Sequence, residues 1–193
     1  ARAIKTMGFD LLCLINPKEH PHPEARARSS GALDVLLDAE VCDNLNDAIE
    51  NCGLVVGTTS RTRRISAPTS TIRDVAPSII NKAKHKPVAI LFGPEKTGLM
   101  NEQIDCCNQL INIPSSKSYR SLNLAMAIQI IAYELNFAWQ ALPFEIEARN
   151  LASNSEMELF YEHLNQVLLE TGFLNPRNPR QLMRRLRTLF NRA

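Results

Sequence analysis

The 193-residue sequence lacks several features that would each have named a function class. No run of 18 apolar residues occurs and no secretory leader precedes residue 1, so the sequence carries no sign of membrane spanning or export. The five cysteines, Cys13, Cys42, Cys52, Cys106 and Cys107, contain no CxxC pair and no histidine at metal-ligand spacing. They read as reduced, mostly buried thiols of a cytoplasmic protein. There is no Walker A ending, which disfavours a phosphate-cradling hydrolase. GxGxxG is also missing, which weakens both a dinucleotide site and the common Rossmann methyltransferase. His20 and His22 flank Pro21 with no thiol nearby and make a poor metal pair; no metal and no membrane partner is expected.

What is present is the composition of a packed domain. Hydrophobic residues make up 45% and the net charge is +2. The charge is unevenly placed. Residues 61–96 hold eight Lys/Arg against Asp74 and Glu95, and residues 172–193 hold six arginines and no acid. Residues 154–171 hold four glutamates and no Lys or Arg. Basic blocks of this kind suit a polyanion, although a solvated helix face is the plainer alternative.

Helix and strand signals alternate through the first 140 residues, predicting an α/β parallel sheet covered on both faces. Buried strands are expected at 11–15, 54–57, 88–92 and 109–113, with a short one near Val41-Cys42. Helices are expected at 24–39 with a break near Gly31, at 46–52, 71–83 and 101–107, and from about 122 to 142. The last is apolar around most of its circumference, as a core helix or a dimer seam would be. Residues 143–155 read as a linker. Residues 156–171 and 179–192 then form a helical hairpin with Leu159, Phe160, His163, Leu164, Val167 and Leu168 on one apolar stripe. The opening residues 1–7 read as the middle or end of a helix, so a preceding piece of the native protein is expected.

Three segments following buried strands are richer than plain turns need. They are Gly57-Thr58-Thr59-Ser60, the stretch 92–99 (FGPEKTGL), and the stretch 113–123 (IPSSKSYRSLN). In an open parallel sheet, ligands bind beyond the carboxyl ends of strands, so the three could meet at one rim. Gly93 and Gly98 would let backbone approach a flat ligand, and amides near Ser121 and Leu122 would be free at a helix start. Each feature has an ordinary reading as turn glycine or helix cap; their convergence favours a site.

These loops carry a resemblance. ARAIKTMGF at 1–9, LFGPEKTGLMNEQI at 91–104 and IPSSKSYRSLNLAMAIQIIAYEL at 113–135 resemble, in order and separation, the three motifs of the TrmH/SpoU-type RNA 2′-O-methyltransferases. The C-terminal 159–193 is similar to the helical extension of that family's tRNA cytidine/uridine branch. The resemblance implies the SPOUT fold, a parallel sheet flanked by helices with a C-terminal trefoil knot in residues 1–142, followed by the 143–155 linker and the 156–193 hairpin. It implies S-adenosylmethionine as cofactor, tRNA as substrate with cytidine or uridine ribose 32 of the anticodon loop as target, and a homodimer; the alternatives are the same fold acting on ribosomal RNA, or an RNA-binding homologue impaired in catalysis. Carried over residue by residue, the cofactor positions are Thr58, Thr59, Ser60, Gly93, Glu95, Gly98, Ile113, Ser121, Leu122 and Asn123. The reaction centre would be Arg2, Ser121 and Asn123. RNA contact falls to Arg61, Arg63, Arg64, Arg180, Arg184, Arg185 and Arg187. The family's first strand, and the asparagine loop ahead of the arginine, have no counterpart before Ala1. Weak turnover by these 193 residues alone is therefore expected.

Overall fold

The computed structural model describes residues 1–60, 69–116, 118, 122–141, 152–176 and 181–191. A short helix α1 (Arg2–Lys5) leads to β1 (Cys13–Ile15). Next come α2 (Pro23–Ser29), a 3-10 turn over Ser30–Ala32, α3 (Leu33–Leu37), β2 (Glu40–Cys42) and α4 (Leu45–Ile49). The centre of the chain holds β3 (Leu54–Thr58), β4 (Thr69–Thr71), α5 (Ile72–Ala83), β5 (Val88–Leu91), α6 (Asn101–Asp105) and β6 (Gln109–Asn112). Three helices close it: α7 (Leu124–Ala141), α8 (Asn154–Glu170) and α9 (Leu182–Phe190). Among the described residues, no helix is long and apolar enough to cross a membrane.

The α/β class is as the alternation predicts, but the strands form two sheets. β1 and β2 pair alone; the other four run in the order β4-β6-β3-β5, all pairs parallel. β6, the last of these strands in the chain, therefore lies between β3 and β4. β3 is the axis of the sheet, because its run of apolar residues is buried on both faces as central parallel strands require. Leu54 and Val56 face α5 and α7, where Ile72, Ala76, Ile79, Ile80, Ile131, Leu135 and Ala138 complete one core layer. Val55 and Leu110 point the other way, onto Ile49, Leu99, Ile104 and Cys107. Asn108, just ahead of β6, continues its pairing with β3. Its side-chain Oδ1 accepts the Val55 N–H at 2.6 Å and its own N–H donates to the Val55 carbonyl at 2.8 Å.

Local chemistry explains the element ends. Thr71 and Asn44 cap α5 and α4 by accepting the Asp74 and Asp47 amides. Ser153 and Glu156 form a capping box at the start of α8. Pro77 sits inside α5. Gly172 leaves α8 with φ +72°, a left-handed stop.

Four expectations need correction. The 11–15 strand is not buried: Leu11 is 92% exposed and β1 has only β2 beside it. Of the five thiols only Cys52 and Cys107 are buried, because Cys13 and Cys42 lie on the thinly covered small sheet. On α8 the supposed apolar stripe is largely open. Leu159 and His163 are exposed, and the helix instead buries Tyr161, 2% exposed, whose hydroxyl donates to Asn191 Oδ1 at 2.5 Å. Finally, β4 was missed, since Thr69-Ser70-Thr71 carries no apolar signal.

The hairpin docks on the α4–α6 side of the sheet. The Asn154 and Ser155 amides donate to the Cys52 and Glu50 carbonyls at 2.7 and 3.1 Å, and Lys86 pairs with Glu156 at 3.3 Å.

Candidate functional site

The three loops picked out by composition do meet at one rim. The segments after β3, β5 and β6 and the start of α7 enclose a cleft of about 620 Å³. Thr58, Thr59 and Ser60 line one side, residues 92–99 a second, and Ile111, Ile113, Leu122, Leu124, Ala127 and Ile131 the third. Hydroxyls and a charged loop thus stand opposite an aliphatic wall. Such a mix holds a flat, partly apolar ligand by its faces and fixes it by a few polar edges.

The loop after β5 is shaped by its two glycines. The Gly98 amide donates to the Pro94 carbonyl at 2.7 Å, and Gly98 sits at φ +67°. That turn folds the loop back onto Gly93. A Cβ at Gly93 would fall on the Gly98 carbonyl carbon and the Leu99 amide nitrogen, both backbone atoms. The pinch is therefore closed to any residue with a side chain at 93.

The rim is fastened from several directions. Thr58 Oγ1 donates to the Leu91 carbonyl at 2.9 Å, and the Thr59 amide to the Ile111 carbonyl at 2.9 Å. Glu95 reaches across to α7, where its Oε1 accepts the Leu124 amide at 3.0 Å. Asn123 Oδ1 accepts the next amide, that of Ala125, at 2.9 Å. The Leu124 and Ala125 amides at the observed start of α7 are thus held, and Glu95 is a cap supplied by a neighbouring loop. Its carboxylate also meets the positive end of the helix dipole.

Of the predicted cofactor positions, Thr58, Thr59, Ser60, Gly93, Glu95, Gly98, Ile113 and Leu122 line the cleft. Asn123 lies between two lining residues without lining it. Arg2 is exposed on α1, outside the cleft lining. Ser121, Arg61, Arg63, Arg64 and Arg180 lie outside the described residues. The other arginines divide. Arg184 Nε donates to Asp105 at 2.8 Å, while Arg187 makes a two-pronged pair with Glu158 at 2.5 and 2.6 Å and stacks over Tyr161 at 4.4 Å. Hydrogen bonding to Glu158 holds the Arg187 guanidinium above its ordinary pKa. These two arginines hold the hairpin together and onto α6; Arg185 is the exposed one. Composition missed Ile111, Leu124, Ala127 and Ile131 as cleft residues, because each looks like ordinary core.

Comparison with known proteins agrees with this geometry. The SpoU rRNA methylase family matches residues 1–133. The chain belongs to the SpoU family. Residues 155–193 match the family described as the C-terminal domain of the tRNA methyltransferase TrmJ. Among SpoU-type relatives, the tRNA (cytidine/uridine-2′-O-)-methyltransferase TrmJ of Klebsiella pneumoniae is 43% identical over 199 residues, spanning 100% of this chain and 82% of that protein. The crystal structure of TrmJ from Zymomonas mobilis ("Z. mobilis ZM4") superposes with a TM-score of 0.80 at 32% identity, covering 98% of this chain and 82% of that one. An AdoMet-bound rRNA methyltransferase from Sinorhizobium meliloti shares the fold at 24% identity, with a TM-score of 0.55 over 74% of this chain and 50% of that one.

Proposed function

We propose that the protein transfers a methyl group from S-adenosylmethionine to a ribose 2′-hydroxyl of tRNA, at cytidine or uridine 32 of the anticodon loop. The observation that carries the reading is the single cleft formed where three strand ends meet. About 620 Å³ suits an adenosine-sized ligand. The aliphatic residues Leu99, Ile113 and Leu122 offer faces for a base, the Thr58–Ser60 hydroxyls offer polar edges, and the Gly93–Gly98 pinch brings backbone within reach. The tRNA acceptor is supported by the match of residues 155–193 to the TrmJ C-terminal domain.

The bound donor supplies an electrophilic methyl on a sulfonium, a leaving group that needs no help. The protein's work is then to orient the ribose oxygen and ease the loss of its proton. Arg2, which stands outside the cleft lining, serves the acceptor side. A guanidinium is far too weak a base at neutral pH, so its role is to fork onto phosphate and hydroxyl oxygens and favour the developing negative charge. Asn123, with Ser121, contributes hydrogen bonds at the start of α7. Glu95, by capping that helix, keeps the loop after β5 and the third loop in one register. Arg185, with Arg61, Arg63, Arg64 and Arg180, is assigned to the RNA phosphates.

The same reading includes a trefoil knot within residues 1–142, a 143–155 linker and the 156–193 hairpin as an extension. Insertion of β6 between β3 and β4 supports the knot. A homodimer is supported by α7, which leaves Met126, Tyr133, Phe137 and Trp139 between 51% and 61% exposed on a helix otherwise devoted to the core.

Methyl transfer from labelled S-adenosylmethionine to unmodified tRNA, to the same tRNA with a 2′-deoxy or 2′-O-methyl ribose at position 32, and to ribosomal RNA tests the assignment. Label is expected on the first only. Equal labelling of the blocked tRNA removes the target position, and labelling of ribosomal RNA alone removes the substrate. Arg2→Lys keeps charge but loses the fork, so the rate should fall steeply while donor binding persists.

A further inference from the structure

β1 and β2 are only three residues each and pair with nothing else, yet they place three ligand-type side chains at one point. Among the described residues, Cys13, Glu40 and Cys42 are the group whose thiol sulfurs and carboxylate oxygen all lie within 4.8 Å of one another. The Cys13 and Cys42 sulfurs are 3.6 Å apart, and Cys42 Sγ is 3.7 Å from Glu40 Oε1. None of the three lines the cleft.

Two chemistries could join such thiols, and the strand register chooses between them. Cys13 pairs with Glu40, and Cys42 with Ile15, so the cysteines stand two residues out of step on neighbouring parallel strands. Two steps along a strand and one across separate the Cα atoms by roughly 8 Å. A disulfide requires less than about 7 Å, so forming one would mean sliding one strand past the other. A tetrahedral ion with sulfur bonds of about 2.3 Å and an oxygen bond of about 2.1 Å instead sets sulfur–sulfur and sulfur–oxygen separations of roughly 3.6–3.8 Å. The observed 3.6 and 3.7 Å contacts match two edges of such a tetrahedron, the third ligand pair lies within 4.8 Å, and a fourth corner would be left to water.

We propose that Cys13, Cys42 and Glu40 form a binding site for a borderline-soft divalent cation of the zinc type, separate from the methyl-transfer cleft. Two thiolates and a carboxylate favour zinc over the hard, oxygen-seeking magnesium and calcium. On binding, each thiol releases its proton to solvent as a metal–sulfur bond forms, and the ion gives up waters to match. The ion clasps two strands too short to hold each other firmly, and so fixes the small sheet beside α4.

Cobalt(II), a coloured stand-in for zinc, tests the site on the reduced, chelator-stripped protein. One equivalent is expected to bind at micromolar concentration, giving thiolate charge-transfer absorption in the near ultraviolet and the intense visible bands of tetrahedral cobalt. Zinc should displace it. Cys13→Ser and Cys42→Ser should each lose the charge-transfer band and at least tenfold in affinity. Glu40→Gln should weaken binding while keeping the sulfur signal, and Cys52→Ser should leave it intact. Zinc should raise the thermal midpoint of the wild type and not that of Cys13→Ser. Absence of a one-to-one cobalt complex, or a spectrum unchanged in both serine variants, overturns the proposal. So does loss of two hydrogens by mass, with cobalt binding abolished, on exposure of the stripped protein to air.

Discussion

Replacing Gly93 by alanine asks whether the loop after β5 is truly a wall of the donor site. The added methyl has no free direction, because it would lie far closer than 3.0 Å to the backbone of Gly98 and Leu99, and backbone cannot swing aside as a side-chain tip can. The pinch must open. Overpacking of this kind costs about 1–3 kcal/mol. If the donor binds only to the closed loop, that cost appears as an affinity loss of roughly 5- to 150-fold. Gly98→Ala makes an instructive partner. Nothing stands within 4 Å of its added Cβ, so only the φ of +67° is penalised, by about 1–2 kcal/mol. Calorimetric titration with S-adenosylmethionine, alongside urea unfolding to confirm the fold, should rank the affinities wild type, Gly98→Ala, Gly93→Ala. Wild-type affinity in the folded Gly93→Ala protein would refute the reasoning, since it would mean the donor does not use the pinched loop.

Three further perturbations probe other joints. Glu156 is held down to about 2, first by the Ser153 amide, then by the Ser153 hydroxyl and Lys86. A depressed carboxylate contributes stability that is complete above its ordinary pKa near 4.5 and is lost as pH falls towards 2. Wild type should therefore lose stability relative to Glu156→Gln across that window in an acid titration by circular dichroism, and parallel curves would contradict it. Arg187→Ala removes a two-pronged charged hydrogen bond and a ring stack from a half-buried site. It should destabilise the hairpin by about 1.5–3 kcal/mol, with Arg187→Lys recovering part, as read by urea unfolding or protease nicking near α9. Asn108→Ala leaves the fully buried Val55 amide without its acceptor, for an expected cost of about 1–3 kcal/mol and a lowered thermal midpoint.

The parts of this molecule that were legible in its sequence share one property: their signal is local. β3 announces itself because a doubly buried strand must be largely apolar, and α8 because its apolar residues recur at helical spacing. The rim loops were legible through residue types that a plain turn does not need. What escaped was set by distant partners. β4 has no apolar residue to betray it and exists because β6 lies beside it. Arg184 and Arg187 looked like free positive charge, since their acids sit 79 and 29 residues away in the chain. Leu11 looked like core because apolar sequence reports a tendency to be covered without saying what covers it. Cys13 and Cys42 showed no ligand spacing, being brought together from 29 residues apart by strand pairing alone. Glu95 illustrates both sides: its placement between two glycines drew notice, but its bond to the α7 amide could only be seen in three dimensions.

The position of β6 has a consequence for how the molecule comes into being. As the chain leaves the ribosome, β3 and β5 can meet early, but the other edge of β3 stays bare until residues 109–112 emerge. Val56 and Gly57 must wait for a strand made some fifty residues later, which then has to enter beside them rather than add at an outer border. Because Ile111 and Ile113 belong to that late arrival, the pocket has no third wall until the sheet is whole. Half-folded chains thus lack the complete cleft, and on the proposed reading donor binding would report that assembly is finished.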